Sequence, residues 1–169
     1  MQLFISTTFA NPEPSKLEDV LVSISDLGFD GVELGSTHQW QSNLTEVIMQ
    51  SWPGRKISHN FFPPHVNGDF VINIASADNT IRDASIKHVK KCINFAAEIN
   101  AELYTVHPGF LAEPLSTSDG QQRNTGYDFI FTDQQIEPEK AFNMLIDSLV
   151  YLTAYAKKCG IRIAVETEG

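Results

Sequence analysis

Leu3-Phe4-Ile5-Ser6-Thr7-Thr8-Phe9-Ala10-Asn11-Pro12 is a β-rich run that passes into its first turn without a glycine. Residues 3–9 are expected to form a strand, and the turn after it decides between two architectures. Ser15-Lys16-Leu17-Glu18 follows as a capping box, with Pro14 before it and Leu17, Val20, Leu21, Ile24 and Leu27 at helical spacing. Gly28 supplies the residue that ends such a helix. Gly31-Val32-Glu33-Leu34-Gly35 is a second short strand, and a weaker helix spans residues 43–50 before Pro53-Gly54.

The rhythm continues. Residues 56–62 make a third strand, stopped by Pro63-Pro64. Asp78, Asn79 and Thr80 are N-cap candidates for a helix whose face carries Ile81, Val89, Cys92, Ile93, Ala96 and Ile99. Residues 102–107 form a fourth strand. Residues 111–137, rich in Gly, Ser, Thr, Asp and Gln, read as one long loop inserted after it, over the face where the strands end. Pro138 opens a further helix with Phe142, Leu145, Leu149, Leu152 and Ala156 as its core stripe. Lys157-Lys158 suits its dipole and Gly160 closes it. Residues 161–166 are a fifth strand.

Strands alternating with amphipathic helices build a parallel sheet, either doubly wound or closed into a barrel. A dinucleotide-binding sheet carries G-x-G-x-x-G after its first strand, and the turn quoted above has no glycine. Polar residues gather instead at the ends of several strands, where barrels keep their chemistry. The expected fold is α/β, a (β/α)₈ barrel to which this chain gives about the first five strands and four helices. Residues 1–169 are then the N-terminal part of a single domain of about 250 residues.

The chain has 169 residues, 42% of them hydrophobic and 20% charged, as in ordinary globular proteins. Its 12 Lys and Arg against 21 Asp and Glu give a net charge of −9. No basic patch is visible, which weighs against a nucleic-acid partner and favours a small molecule. No apolar run is long enough to cross a membrane. The N-terminus lacks the features of a signal peptide, so a cytoplasmic location is expected. Cys92 and Cys159 have no metal or disulfide spacing and read as core thiols.

Three strand ends carry candidate chemistry: Ser58-His59-Asn60, Val106-His107-Pro108-Gly109 and Val165-Glu166-Thr167-Glu168. Parallel strands bring their C-terminal ends to one face, so His59, His107 and Glu166 converge. Two imidazoles and a carboxylate suit Zn²⁺, Mn²⁺ or Co²⁺. Each also has a structural reading, as a hydrogen-bonded strand-end residue. Glu33, ending strand two, is a substrate contact or a structural acceptor. Glu168 is an alternate to Glu166, His65 reads as a solvated loop residue, and His38 and His88 as surface or helix residues. Phe61, Phe62 and Trp40 could wall a pocket, although core packing suits them better.

Gly28-Phe29-Asp30-Gly31-Val32-Glu33-Leu34 resembles the second-strand signature of the xylose isomerase-like, or AP endonuclease family 2, TIM barrels. Asn73-Ile74-Ala75-Ser76, with Asn79, Ile81-Arg82 and Ser85, is similar to their segment between strand three and helix three. Val106-His107-Pro108-Gly109 and Ile163-Ala164-Val165-Glu166 resemble their fourth and fifth strands. In the endonuclease IV branch, the resemblance implies zinc binding by His59, His107 and Glu166. In the sugar isomerase and epimerase branch, it implies a divalent metal on Glu166, which is also the catalytic acid/base. Thr167 departs from the asparagine that commonly follows this glutamate.

The expected activity is therefore metal-dependent isomerisation or epimerisation of a small sugar or sugar phosphate, with Glu166 catalytic and Glu33 and His59 contacting substrate. The alternatives are a zinc phosphodiesterase acting on abasic DNA and a non-catalytic partial barrel. Five strands alone are expected to be inactive. Ile5, Ile163 and Val165 are expected to face inward without neighbours, and the two open strand edges favour a homo-oligomer.

Overall fold

The computed structural model describes residues 2–10, 16–35, 38, 40–64, 71–117 and 129–166. His65, Thr167, Glu168 and the Ser15 of the capping box lie outside them. The elements are β1 (Phe4–Ser6), α1 (Thr7–Ala10), α2 (Leu17–Ile24), β2 (Gly31–Leu34), α3 (Leu44–Ser51), β3 (Arg55–Ser58), α4 (Asn79–Glu98), β4 (Leu103–Val106), β5 (Ala112–Thr117), β6 (Phe129–Gln135), α5 (Pro138–Lys158) and β7 (Arg162–Val165). Five strands form one parallel sheet in the order β1-β2-β3-β4-β7. A doubly wound sheet reverses its strand order at a switch point. This order runs one way, so right-handed crossovers put all the connecting helices on one side. That is the construction of a barrel wall, here a partial barrel.

The helices begin and end where local chemistry requires. Leu17, Val20, Leu21 and Ile24 of α2 are buried on one stripe, and Gly28, at φ 78°, turns the chain into β2. The Asp78 carboxylate accepts from the Thr80 amide at 2.7 Å and caps α4. The Glu137 carboxylate accepts from the Lys140 amide at 2.8 Å and caps α5, whose first turn holds Pro138.

The core lies between the sheet and these helices. Val32, Leu34, Tyr104 and Val106 meet Val89, Cys92, Ile93, Ala96, Leu152 and Ala156 there. Successive side chains along a strand point to opposite faces, so the residues that alternate with these face the other way. Ser6 pairs with Glu33, and Glu33 with Ile57. Thr105 pairs with Ala164, and His107 follows one residue after the Val106–Val165 pair. This second face is the inner wall of the barrel.

Several expectations are corrected. Ile5 and Ile163 belong to the core against the helices, so they do not face inward. Val165, in register with Val106, shares that side. The first strand stops at Ser6, because Thr7 is fully buried and its Oγ1 accepts from the Gly35 amide at 3.0 Å, bending the chain over β2. His38 is buried, not a surface residue, with Nε2 2.7 Å from the same hydroxyl. Phe142 is 60% exposed, and the buried line of α5 runs through Ala141, Ser148, Leu152 and Ala156. Cys92 is buried, and burial pushes its thiol up to about 12, whereas Cys159 is half-buried.

Residues 111–137 are not one irregular loop. β5 and β6 pair antiparallel, from Ala112 opposite Gln135 to Thr117 opposite Phe129. Phe129, Ile130, Phe131 and Thr132 are strand formers, and the polar composition of the neighbouring stretch hid them. Residues 118–128 lie outside the described residues.

Candidate metal centre

β3 and β4 deliver histidines to the same rim because each strand ends one residue before its histidine. Ser58 and Val106 point into the core, so His59 and His107 point to the inner face. The Glu166 amide donates to the Val106 carbonyl at 3.0 Å, which continues the β4–β7 ladder and sets Glu166 beside His107. The three side chains meet. His107 Nε2 lies 3.2 Å from His59 Nε2. Glu166 Oε2 lies 3.3 Å from the His59 nitrogen and 3.5 Å from the His107 nitrogen.

Three lone-pair-bearing atoms at this spacing repel one another unless a proton or a metal ion lies among them. The edges also suit a metal. Tetrahedral ligands on bonds of about 2.0–2.1 Å stand about 3.3–3.4 Å apart. The donor set has the borderline character that selects zinc and its neighbours over magnesium or calcium. Among the described residues this is the one group of three or more His, Cys, Asp or Glu side chains placed to hold a metal ion.

The surroundings keep the histidines available. Side-chain exposure is 18% at His59, 10% at His107 and 44% at Glu166, so the open side is the carboxylate. Burial, and then the proximity of His107, lower His59 to about 4 against the opposing pull of Glu166. His59 is thus neutral at pH 7, the form a metal requires. Phe61 packs edge-on against His107, with ring centroids 5.5 Å apart, and lies 6.0 Å from His59. Phe62 is instead core, packed on Phe95, and Trp40 is 46% exposed.

Glu33 stands on the same inner face, on β2, the strand next to the one that leads into His59. Burial raises its carboxyl, the Glu166 charge raises it further, and the Ser6 hydroxyl that donates to it acts in the opposite direction. The sequence marked Glu33 but gave no sign of Ser6. His88 lies on α4 with Nε2 3.4 Å from Cys92 Sγ and takes no part in the site.

The depressed His59 makes a pH prediction for the metal-free protein. The unfolded chain binds a proton there near pH 6.5, the folded chain only near 4. His59 therefore contributes stability that is present above pH 6.5 and is lost as the pH falls through 4. Urea unfolding of wild type and His59→Gln from pH 7.5 to 4 should show the wild type losing stability more steeply. Parallel curves would remove the claim.

Residues 21–169 match the family described as xylose isomerase-like TIM barrel. Over 61 residues the chain is 36% identical to "Probable endonuclease 4" of Mycobacterium leprae (strain Br4923), a match covering 36% of this chain and 24% of that protein. Among solved structures, a D-tagatose 3-epimerase-like protein superposes with a TM-score of 0.66 at 19% identity, over 99% of this chain and 53% of the other. A D-psicose 3-epimerase crystallised in the presence of D-fructose gives 0.68 at 15% identity, over 99% and 52%. The chain spans about half the length of these two structures. Sequence and topology agree, and the chain belongs to the xylose isomerase-like TIM barrel family.

Proposed function

We propose that His59, His107 and Glu166 hold a divalent metal ion, Zn, Mn or Co, and that the whole protein is a metal-dependent isomerase or epimerase of a small sugar or sugar phosphate. The triangle of 3.2, 3.3 and 3.5 Å at the rim carries this reading. The acidic composition supports a small substrate, and the likeness to sugar epimerases supports the fold on which such chemistry runs.

When bound, the metal supplies Lewis-acid polarisation of adjacent carbonyl and hydroxyl oxygens. Glu166 is the most exposed of the three and takes the proton from the carbon next to the carbonyl. Glu33, to which the Ser6 hydroxyl donates, offers its carboxylate as an acceptor to a substrate hydroxyl on the same wall. His59 stays neutral and would hold the metal through Nε2. Phe61 covers the imidazoles and limits water at that side.

A second reading, a zinc phosphodiesterase acting on abasic DNA, is favoured by the presence of both histidines in the triangle and by the endonuclease 4 match. The absence of a basic stripe in the sequence opposes it. The full-length protein, loaded with Zn²⁺, Mn²⁺ or Co²⁺, should be assayed on ketose sugars, their phosphates and abasic-site DNA. Ketose turnover abolished by a chelator is the expected result. DNA cleavage without ketose turnover would replace the first reading with the second.

A further inference from the structure

His107 is followed at once by a turn, Pro108-Gly109-Phe110, and something must hold that turn for the imidazole to stay in the triangle. Asn73 is fully buried and does so. Its Oδ1 accepts from the Phe110 amide at 3.1 Å and the Ala75 amide at 3.2 Å. Its Nδ2 donates to the Phe110 and Ala112 carbonyls at 3.4 and 3.5 Å and to Glu113 Oε2 at 3.1 Å. One side chain thus engages both main-chain polar groups of Phe110, three residues beyond the ligand.

Asn73 is itself fixed. Its amide donates to Ser85 Oγ of α4 at 3.0 Å, and that hydroxyl donates to the Ile81 carbonyl at 2.8 Å. The next carbonyl, Ile74, accepts from Ser148 Oγ of α5 at 2.7 Å. Glu113 closes the circuit from the hairpin side. Its Oε1 accepts from Ser76 Oγ at 2.6 Å, the Ala77 amide at 3.1 Å and the Asp78 amide at 3.4 Å, just before α4 begins. Two core helices, the segment 73–78, the base of β5 and the turn after His107 therefore form one hydrogen-bonded frame.

We infer that Asn73 is a positioning residue for His107, acting through the Pro108–Phe110 turn, and that Glu113 couples the β5–β6 hairpin to the same frame. The inference rests on the metal reading of His107. It explains why Asn73, Ser76 and Ser85 stand together in a segment that supplies no ligand. A buried polar network of this kind holds its geometry only while each member is satisfied.

The test is a charge-pattern swap. Asn73→Asp keeps the acceptor for Phe110 and Ala75 but removes the donor to the Phe110 and Ala112 carbonyls and sets a second carboxylate against Glu113. Adding Glu113→Gln restores a donor at that contact while its remaining oxygen still faces Ser76 and Ala77. Metal affinity is read by competition with a chromophoric chelator, the site by the visible spectrum of bound Co²⁺, and the hairpin by hydrogen exchange. We expect Asn73→Asp to bind at least tenfold more weakly, with an altered Co²⁺ spectrum and faster exchange in residues 108–113. We expect the double variant to regain the part of this loss that comes from the contact between positions 73 and 113. Far-ultraviolet circular dichroism confirms that each variant is folded, and if Asn73→Asp is not, the double variant against wild type gives the comparison. Wild-type affinity and spectrum in the folded Asn73→Asp protein would overturn the inference. So would a folded double variant whose residues 108–113 exchange faster than in the wild type while its metal affinity and Co²⁺ spectrum are unchanged. Failure of the wild type to bind any metal would instead overturn the metal reading itself.

Discussion

His107→Ala is expected to bind Zn²⁺ or Mn²⁺ at least tenfold more weakly than the wild type, and Glu166→Ala should do the same. The reason is the spacing of the triangle. Each of its three atoms lies within 3.5 Å of the other two, so removing one leaves an open pair. Loss even of a group that only supports a ligand lowers metal affinity about 10–100-fold, and a ligand should cost no less. His107 is the sharper test, because its side chain is only 10% exposed. His88→Ala serves as control, since its imidazole lies on α4 against Cys92. Unchanged affinity in both ligand variants, or an equal loss in His88→Ala, would remove the metal assignment.

The second large effect is expected at Gly109. Its φ is 108°, a conformation L side chains rarely adopt. A Cβ there would stand 2.4 Å from Asn73 Oδ1 and 3.1 Å from the Ala75 Cβ. Neither neighbour can withdraw easily, because Asn73 is buried within its hydrogen bonds. Backbone strain of about 1–3 kcal/mol and overpacking of about 1–3 kcal/mol both apply, so Gly109→Ala should lose about 3 kcal/mol in urea unfolding. Because the same contact fixes the turn after His107, metal affinity should fall with it. Gly28→Ala is the useful comparison. It shares a positive φ of 78° but meets nothing within 4 Å, so its loss should be smaller and should leave metal binding intact. Equal losses at the two glycines would mean that the contact with Asn73 is unimportant.

The barrel wall was legible in the sequence because its signals are local. Gly28, Pro138 and Gly160 mark helix ends, and Leu17, Val20, Leu21 and Ile24 mark a buried stripe. The convergence of His59, His107 and Glu166 was also legible, since parallel strands must share a rim. What escaped were features set by tertiary contact. Nothing in Thr7 or His38 announces that they bury each other above β1 and β2. The direction of Ile5, Ile163 and Val165 depends on strand phase, and the short strands left that phase open by one residue. A one-residue change turns every side chain to the other face. The β5–β6 hairpin was concealed because its strands flank a polar stretch, and register in such a hairpin comes from pairing. Asn73 and Glu113 lie forty positions apart, and only the fold brings them to 3.1 Å.

His59, His107 and Glu166 should bind one metal ion together. Crystals of the full-length protein grown with Zn²⁺ or Mn²⁺, with diffraction recorded on both sides of the metal absorption edge, test it directly. An anomalous peak is expected about 2.0–2.2 Å from His59 Nε2, His107 Nε2 and a Glu166 carboxylate oxygen. A fully loaded crystal whose metal lies elsewhere, with the three side chains still in contact with one another, would contradict it.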